Sequence, residues 1–196
     1  MPSTRDVRAR LQRALDERQL VRIERSLPFS DRDVGYVVAI GAKWFLTVSV
    51  VDGGHFNGYA AMRLRDLKKV VRDRSFAVNA WRLLNDAPPT APAAPIELGS
   101  TTGLLVSAGA NLAVFGIEKQ RQRRAMWIGT LDEVHDGMLW MRELDTKARW
   151  SKRPRGYRLA KITSVSWGDR YMDALAMSAS EPPASAPRLA FPDERA

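Results

Sequence analysis

Residues 35–51, GYVVAIGAKWFLTVSVV, are two extended apolar runs joined by a tight turn at 40–43, which is the pattern of a β-hairpin. In the second half, residues 127–144, WIGTLDEVHDGMLWMREL, repeat it around a turn at 135–137. With Gly35 set on Gly129, Ile40 falls on Val134, Trp44-Phe45-Leu46 on Met138-Leu139-Trp140, and Val50 on Leu144. The correspondence continues in both directions. Upstream, the strand candidate LVRIERS from Leu20 answers LAVFGIEK from Leu112, with Ile23 matched to Phe115. Downstream, MRLRDLKKVV from Met62 answers YRLAKITSVS from Tyr157, pairing Leu64 with Leu159, Leu67 with Ile162 and Val70 with Val165; Phe76 then answers Tyr171. Insertions fall only in loops, as in 52–59 against 145–157. Self-similarity at so long a period marks a duplicated structural unit.

A helix precedes each set of strands. Val7, Leu11, Ala14 and Leu15 share one face at helical spacing, with Ser3 or Thr4 to cap the start and Arg5, Arg8, Arg10, Arg13 and Arg18 as a solvated face. In the second half Ser100, Thr101 and Thr102 offer the cap, and Gly103 and Gly109 weaken the helix. The proline-rich run DAPPTAPAAP supplies no helix and few donors, so it reads as a semi-rigid connector. The expected organisation is module 1 at 1–85, a linker at 86–97, module 2 at 98–177 and a flexible Pro/Ala/Ser tail at 178–196.

A helix, a strand, a glycine-containing hairpin and a closing pair of strands resemble the Sm/LSm fold, including the bacterial Sm-like RNA chaperone. Each half is also similar to a loose group of bacterial two-module proteins of this kind. The echo lies in GYVVAIGAKWFLTVSVV and AMRLRDLKKVV, and the likeness covers residues 4–84 and 100–177. An SH3-like or PRC-type small barrel would give much the same pattern. The expected fold is therefore mainly β: two Sm-like or SH3-like five-stranded antiparallel barrels, each with an N-terminal helix. The resemblance implies RNA binding at the turn between the second and third strands and the turn between the fourth and fifth. The residues there depart from the family pattern. Ala42-Lys43-Trp44 and Asp136-Gly137-Met138 stand where an Asp and an Asn flank an apolar residue, and Leu64-Arg65 and Leu159-Ala160 where the family has Arg-Gly or Lys-His.

The formal charge of +9 makes polyanions the natural partners, nucleic acid ahead of anionic membrane. Candidate nucleic-acid-binding residues are the loop cations Lys119, Arg121, Arg123 and Arg124, which can neutralise phosphates and release counterions. Lys152, Arg153 and Arg155 join them, in a basic stretch surrounding Trp150. Solvated loops are the alternative for both clusters, and core packing is favoured over base stacking for Trp150. RNA is the favoured nucleic acid; a protein partner or self-association through exposed barrel edges is the competing reading.

Enzyme is the disfavoured class: no Ser-His-Asp set, phosphate-cradling glycine loop or HExxH motif is present, and no catalytic residue is predicted. No metal site or cofactor is expected, because His55 and His135 are the only histidines and there is no cysteine. With no apolar run near ~20 residues and no apolar N-terminal segment, no membrane association is expected, and the expected compartment is cytoplasmic.

Overall fold

The computed structural model describes residues 4–28, 32–84, 89–121 and 125–183. The first half contributes α1 (Thr4–Asp16), β1 (Leu20–Arg25), β2 (Asp33–Ile40), β3 (Trp44–Val51), β4 (His55–Arg63), β5 (Leu67–Arg72) and α2 (Ala77–Leu84). The second contributes α3 (Thr101–Asn111), β6 (Phe115–Lys119), β7 (Met126–His135), β8 (Met138–Glu143), β9 (Arg155–Arg158), β10 (Ile162–Trp167) and α4 (Arg170–Ser178). One 3-10 turn leads into the fifth strand of each half, at Leu64–Asp66 and Leu159–Lys161.

The protein is mainly β, and its strands form one antiparallel sheet in the order β5-β1-β2-β3-β4-β10-β6-β7-β8-β9. The second five strands repeat the order of the first five. Sequence reasoning predicts two barrels, whereas the two halves join in a single open ten-stranded sheet through a seam between β4 and β10. Across that seam Tyr59, Ala60, Ala61 and Met62 face Trp167, Ser166, Val165 and Ser164. None carries a charge, so nothing opposes the backbone ladder.

Strand pairing fixes the equivalence of the halves and corrects one match. Val21 pairs with Gly35 and Phe115 with Gly129; Ile23 pairs with Val70 and Ile117 with Val165. Ile23 is thus the counterpart of Ile117, two residues beyond the predicted Phe115. A shift of two keeps every side chain on its own face, so alternation alone does not detect it. The remaining matches within the strands and the 3-10 turns hold, and the irregularities recur as well: β2–β3 shifts register at Val37/Ala39 and β7–β8 at Leu131/Glu133. Just before these bulges, a Cβ on Gly35 would run into the Val48 carbonyl oxygen, and one on Gly129 into that of Arg142. Both halves use the missing side chain to bring the next strand close.

The largest core lies across the seam. Trp44, Leu46 and Ala61 pack there with Leu104, Leu105, Phe115, Leu139, Val165 and Trp167. Helix α1 buries Val7, Leu11 and Ala14 on Ile23, Phe45 and Met62, the face its spacing predicts. Ser100 caps α3 by accepting a hydrogen bond from the Gly103 amide. Gly109 is required in that helix because a Cβ there would strike Leu131. After the proline-rich segment the chain is tied to the β2–β3 turn: the amides of Lys43 and Trp44 donate to the Leu98 carbonyl at 3.2 and 3.0 Å, and the Trp44 indole donates to Thr101 Oγ1 at 3.3 Å. A second tie is Arg25, a buried guanidinium on β1 whose Nη2 lies 2.9 Å from Glu118 on β6.

Asp73 organises the passage from β5 into α2. Its Oδ1 accepts from the Ser75 amide at 2.6 Å, and Arg22 lies 3.5 Å from its Oδ2. Burial pushes the carboxyl up, but Ser75 and Arg22 outweigh it and hold its pKa below the usual value. Since the folded pKa is the lower one, the stabilisation is present above the ordinary carboxylate pKa and is lost as pH falls through the folded value. Asp73→Asn is expected to lower stability at neutral pH by about 1 kcal/mol in urea unfolding, with the gap to wild type closing as pH drops below about 4. Gly35→Ala and Gly129→Ala are each expected to cost about 1–3 kcal/mol by forcing the paired strands apart, read as a lower urea midpoint at unchanged slope.

Candidate nucleic-acid interface

The predicted loop cations fall into different environments. Lys119 is the last residue of β6, with its Nζ 3.8 Å from the Trp127 ring centroid and 4.6 Å from that of Tyr157. Burial lowers its pKa, and the nearby Arg155 adds to this while Glu143 opposes it. Arg155 Nη1 in turn lies 3.4 Å from Glu143 Oε2. Lys119 and Arg155 are therefore brought together, but around a carboxylate and two aromatic rings, with part of their charge already answered. Arg121 is exposed in a turn with φ of 62°. Arg123 and Arg124 lie outside the described residues. Lys152 and Arg153 are exposed, on a loop held by the buried Arg142, whose Nη1 donates to the carbonyls of Ser151 and Lys152. Trp150, in the same loop, is partly buried against the cluster around Met172 and Leu175 of α4, and its indole donates to the Ser180 carbonyl at 2.8 Å.

A different set of cations converges at the seam. A cavity of about 420 Å³ opens between the β2–β3 turn, the two 3-10 turns and the starts of α1 and α3. Arg8, Lys43, Arg63 and Arg65 line it, with Val7, Leu64 and Leu159 as apolar wall, and no carboxylate is among its lining residues. Arg63 is 4 % exposed. Its Nε donates to Asp66 at 2.5 Å and its Nη1 to the Ala160 carbonyl at 3.0 Å, while its Nη2 is buried with no hydrogen-bond partner. Arg65 Nη2 donates to the same carbonyl at 3.1 Å. Burial lowers the pKa of Arg63, with Asp66 opposing, yet a guanidinium stays charged at any ordinary pH. A buried guanidinium nitrogen without an acceptor favours a ligand bringing an oxygen lone pair.

Three of the four turns that the family resemblance singles out, at 42–44, 64–65 and 159–160, border this cavity; the fourth, at 136–138, is not among its lining residues. Sequence reasoning passed over Arg63. One signal for it was present: both halves carry Arg immediately before the 3-10 turn, Arg63 and Arg158. The position three residues later differs in sign, Asp66 against Lys161, so only the first copy holds its arginine in a buried ion pair.

Neither histidine lies in this cavity; His55 begins β4, and His135 stacks on Trp140 with Nδ1 3.1 Å from Asp136 Oδ2. Among the described residues no three His, Cys, Asp or Glu side chains gather as metal ligands, and no helix is long and apolar enough to cross a membrane. Comparison with known protein families, with curated proteins and with solved structures finds no match to the chain.

The geometry separates a packing cation from solvated ones. Lys119→Ala is expected to cost about 1 kcal/mol of stability through loss of its aromatic contacts, and Arg121→Ala less than about 0.5 kcal/mol, both measured by urea denaturation.

Proposed function

We propose that this chain is a non-catalytic tandem Sm-like module that binds single-stranded nucleic acid, RNA by preference, with its central contact at the seam cavity. The carrying observation is the convergence of Arg8, Lys43, Arg63 and Arg65 on one cavity with no carboxylate among its lining residues, beside a buried Arg63 Nη2 that has no hydrogen-bond partner. Two further features support the Sm-like reading: the five-strand order occurs twice, and three of the four turns to which the resemblance assigns RNA contact, 42–44, 64–65 and 159–160, border the cavity at the junction of the two halves. A phosphate seated here accepts from whichever of Arg8, Lys43 and Arg65 its oxygens reach, and the buried Arg63 adds its charge from behind the wall. The apolar wall of Leu64 and Leu159 takes the sugar or base face. Binding of this kind is driven by counterion release and reads sequence weakly. The exposed Arg121, Lys152 and Arg153, and Arg155 beside them, extend the positive surface along the second half, with Lys119 positioning Trp127 and Tyr157. Arg123 and Arg124 belong to the same stretch of sequence.

Fluorescence anisotropy with a labelled oligouridine tests the reading. The expected result is a Kd that weakens steeply with salt, with a log–log slope of about −0.7 for each phosphate neutralised. Lys43→Ala and Arg65→Ala are each expected to weaken binding several-fold and to reduce that slope by roughly one contact. Absence of any salt-dependent shift at low ionic strength would sink the proposal. A shift insensitive to Lys43 and Arg65 would move the site to the loop cations of the second half.

A further inference from the structure

Strand β10 has a neighbour on each side, β6 and β4. Its equivalent in the first half, β5, pairs with β1 and with no second strand among the described residues. The seam residues of β10, from Ser164 to Trp167, correspond to Lys69, Val70, Val71 and Arg72 of β5. An edge that is uncharged where it is covered is thus cationic where it is open. The surroundings carry the same sign. A groove of roughly 730 Å³ runs between α1 and the β1–β5 pair, lined by Arg10, Arg13, Arg22, Arg72 and Arg74, with Glu17 the one carboxylate among its lining residues. Arg22 is engaged by Asp73, whereas Arg10, Arg13, Arg72 and Arg74 have no ion-pair partner among the described residues.

Charge decides what the edge admits. The sheet's other end, β9, presents Arg155 and Arg158, with Lys152 and Arg153 just before it. Pairing β9 of a second copy onto β5 would set one cationic edge on another, which is the arrangement that edge strands use to prevent self-association. An extended segment rich in Asp and Glu meets no such barrier. Its backbone answers the outer N–H and C=O groups of β5, which a phosphodiester chain does not do in register, and alternate side chains reach the arginines of the groove.

We propose that β5 and the groove beside it bind an extended acidic polypeptide segment by strand addition, repeating with a foreign strand what β4 does with β10. The surface is separate from the seam cavity and does not depend on it.

The test uses the full chain and a fluorescein-labelled peptide of alternating glutamate and threonine, followed by anisotropy. Controls are a lysine–threonine peptide and glutamate–threonine peptides N-methylated on either alternate set of amides. Expected are salt-sensitive binding of the acidic peptide alone, loss of about tenfold or more in affinity for one of the two N-methylated peptides, and a similar loss in Lys69→Glu/Arg72→Glu. The milder Lys69→Ala/Arg72→Ala should give a smaller loss in the same direction, with far-UV circular dichroism confirming that both variants are folded. Lys43→Ala/Arg65→Ala should leave peptide binding unchanged, which separates this site from the nucleic-acid reading. Several outcomes overturn the proposal: no binding of the acidic peptide, equal binding of the lysine peptide, indifference to both N-methyl patterns, or full affinity in the folded variants. So does oligouridine displacing the peptide and itself losing affinity in Lys69→Glu/Arg72→Glu, or light scattering showing that the chain self-associates through this edge.

Discussion

The antiparallel pairing of β4 with β10 is the interaction on which the other features rest. It turns two small five-stranded units into one sheet and lets Trp44, Leu46 and Ala61 share a core with Phe115, Leu139 and Val165. Small units bury a modest fraction of their apolar surface, so joining two of them adds core that neither has alone. The seam also brings the 3-10 turns together, so that Arg63 and Arg65 both reach the Ala160 carbonyl. Without the pairing there is no cavity, because its walls come from both halves.

Two further ties make the junction specific. Arg25 reaches Glu118 from a buried position, and its pKa is raised because Asp33 and Glu118 together outweigh the effect of burial. The Leu98 carbonyl accepts from the amides of the β2–β3 turn, the same turn that supplies Lys43 to the cavity. Chain entering the second half therefore shapes the site in the first.

Much of this was legible in the residues, and the rest was not for identifiable reasons. The hairpins, the buried face of α1 and the Ser100 cap are local patterns, and a few neighbouring side chains determine each. The Ile23 match slipped by two because a period-two pattern is indifferent to such a slip. The seam left no local trace: Ser164 and Ser166 look like solvent-facing polar residues, and only the approach of β4 gives their strand a second neighbour. Lys119 resembled a loop cation because its partners, Trp127 and Tyr157, are distant in sequence and become adjacent only when the sheet forms. Arg8, Lys43 and Arg63 gave no collective signal for the same reason.

Joining two copies in one chain also releases them from symmetry. In a homodimer of single units, a residue at the Asp66 position would appear on both protomers, and a clamp on one arginine would be a clamp on both. Here Asp66 faces Arg63 while its counterpart Lys161 follows Arg158, and Arg25 makes ion pairs while its counterpart Lys119 lies on aromatic rings. Opposite charges can thus occupy one position of the same fold, and each half can be altered without its twin changing in step.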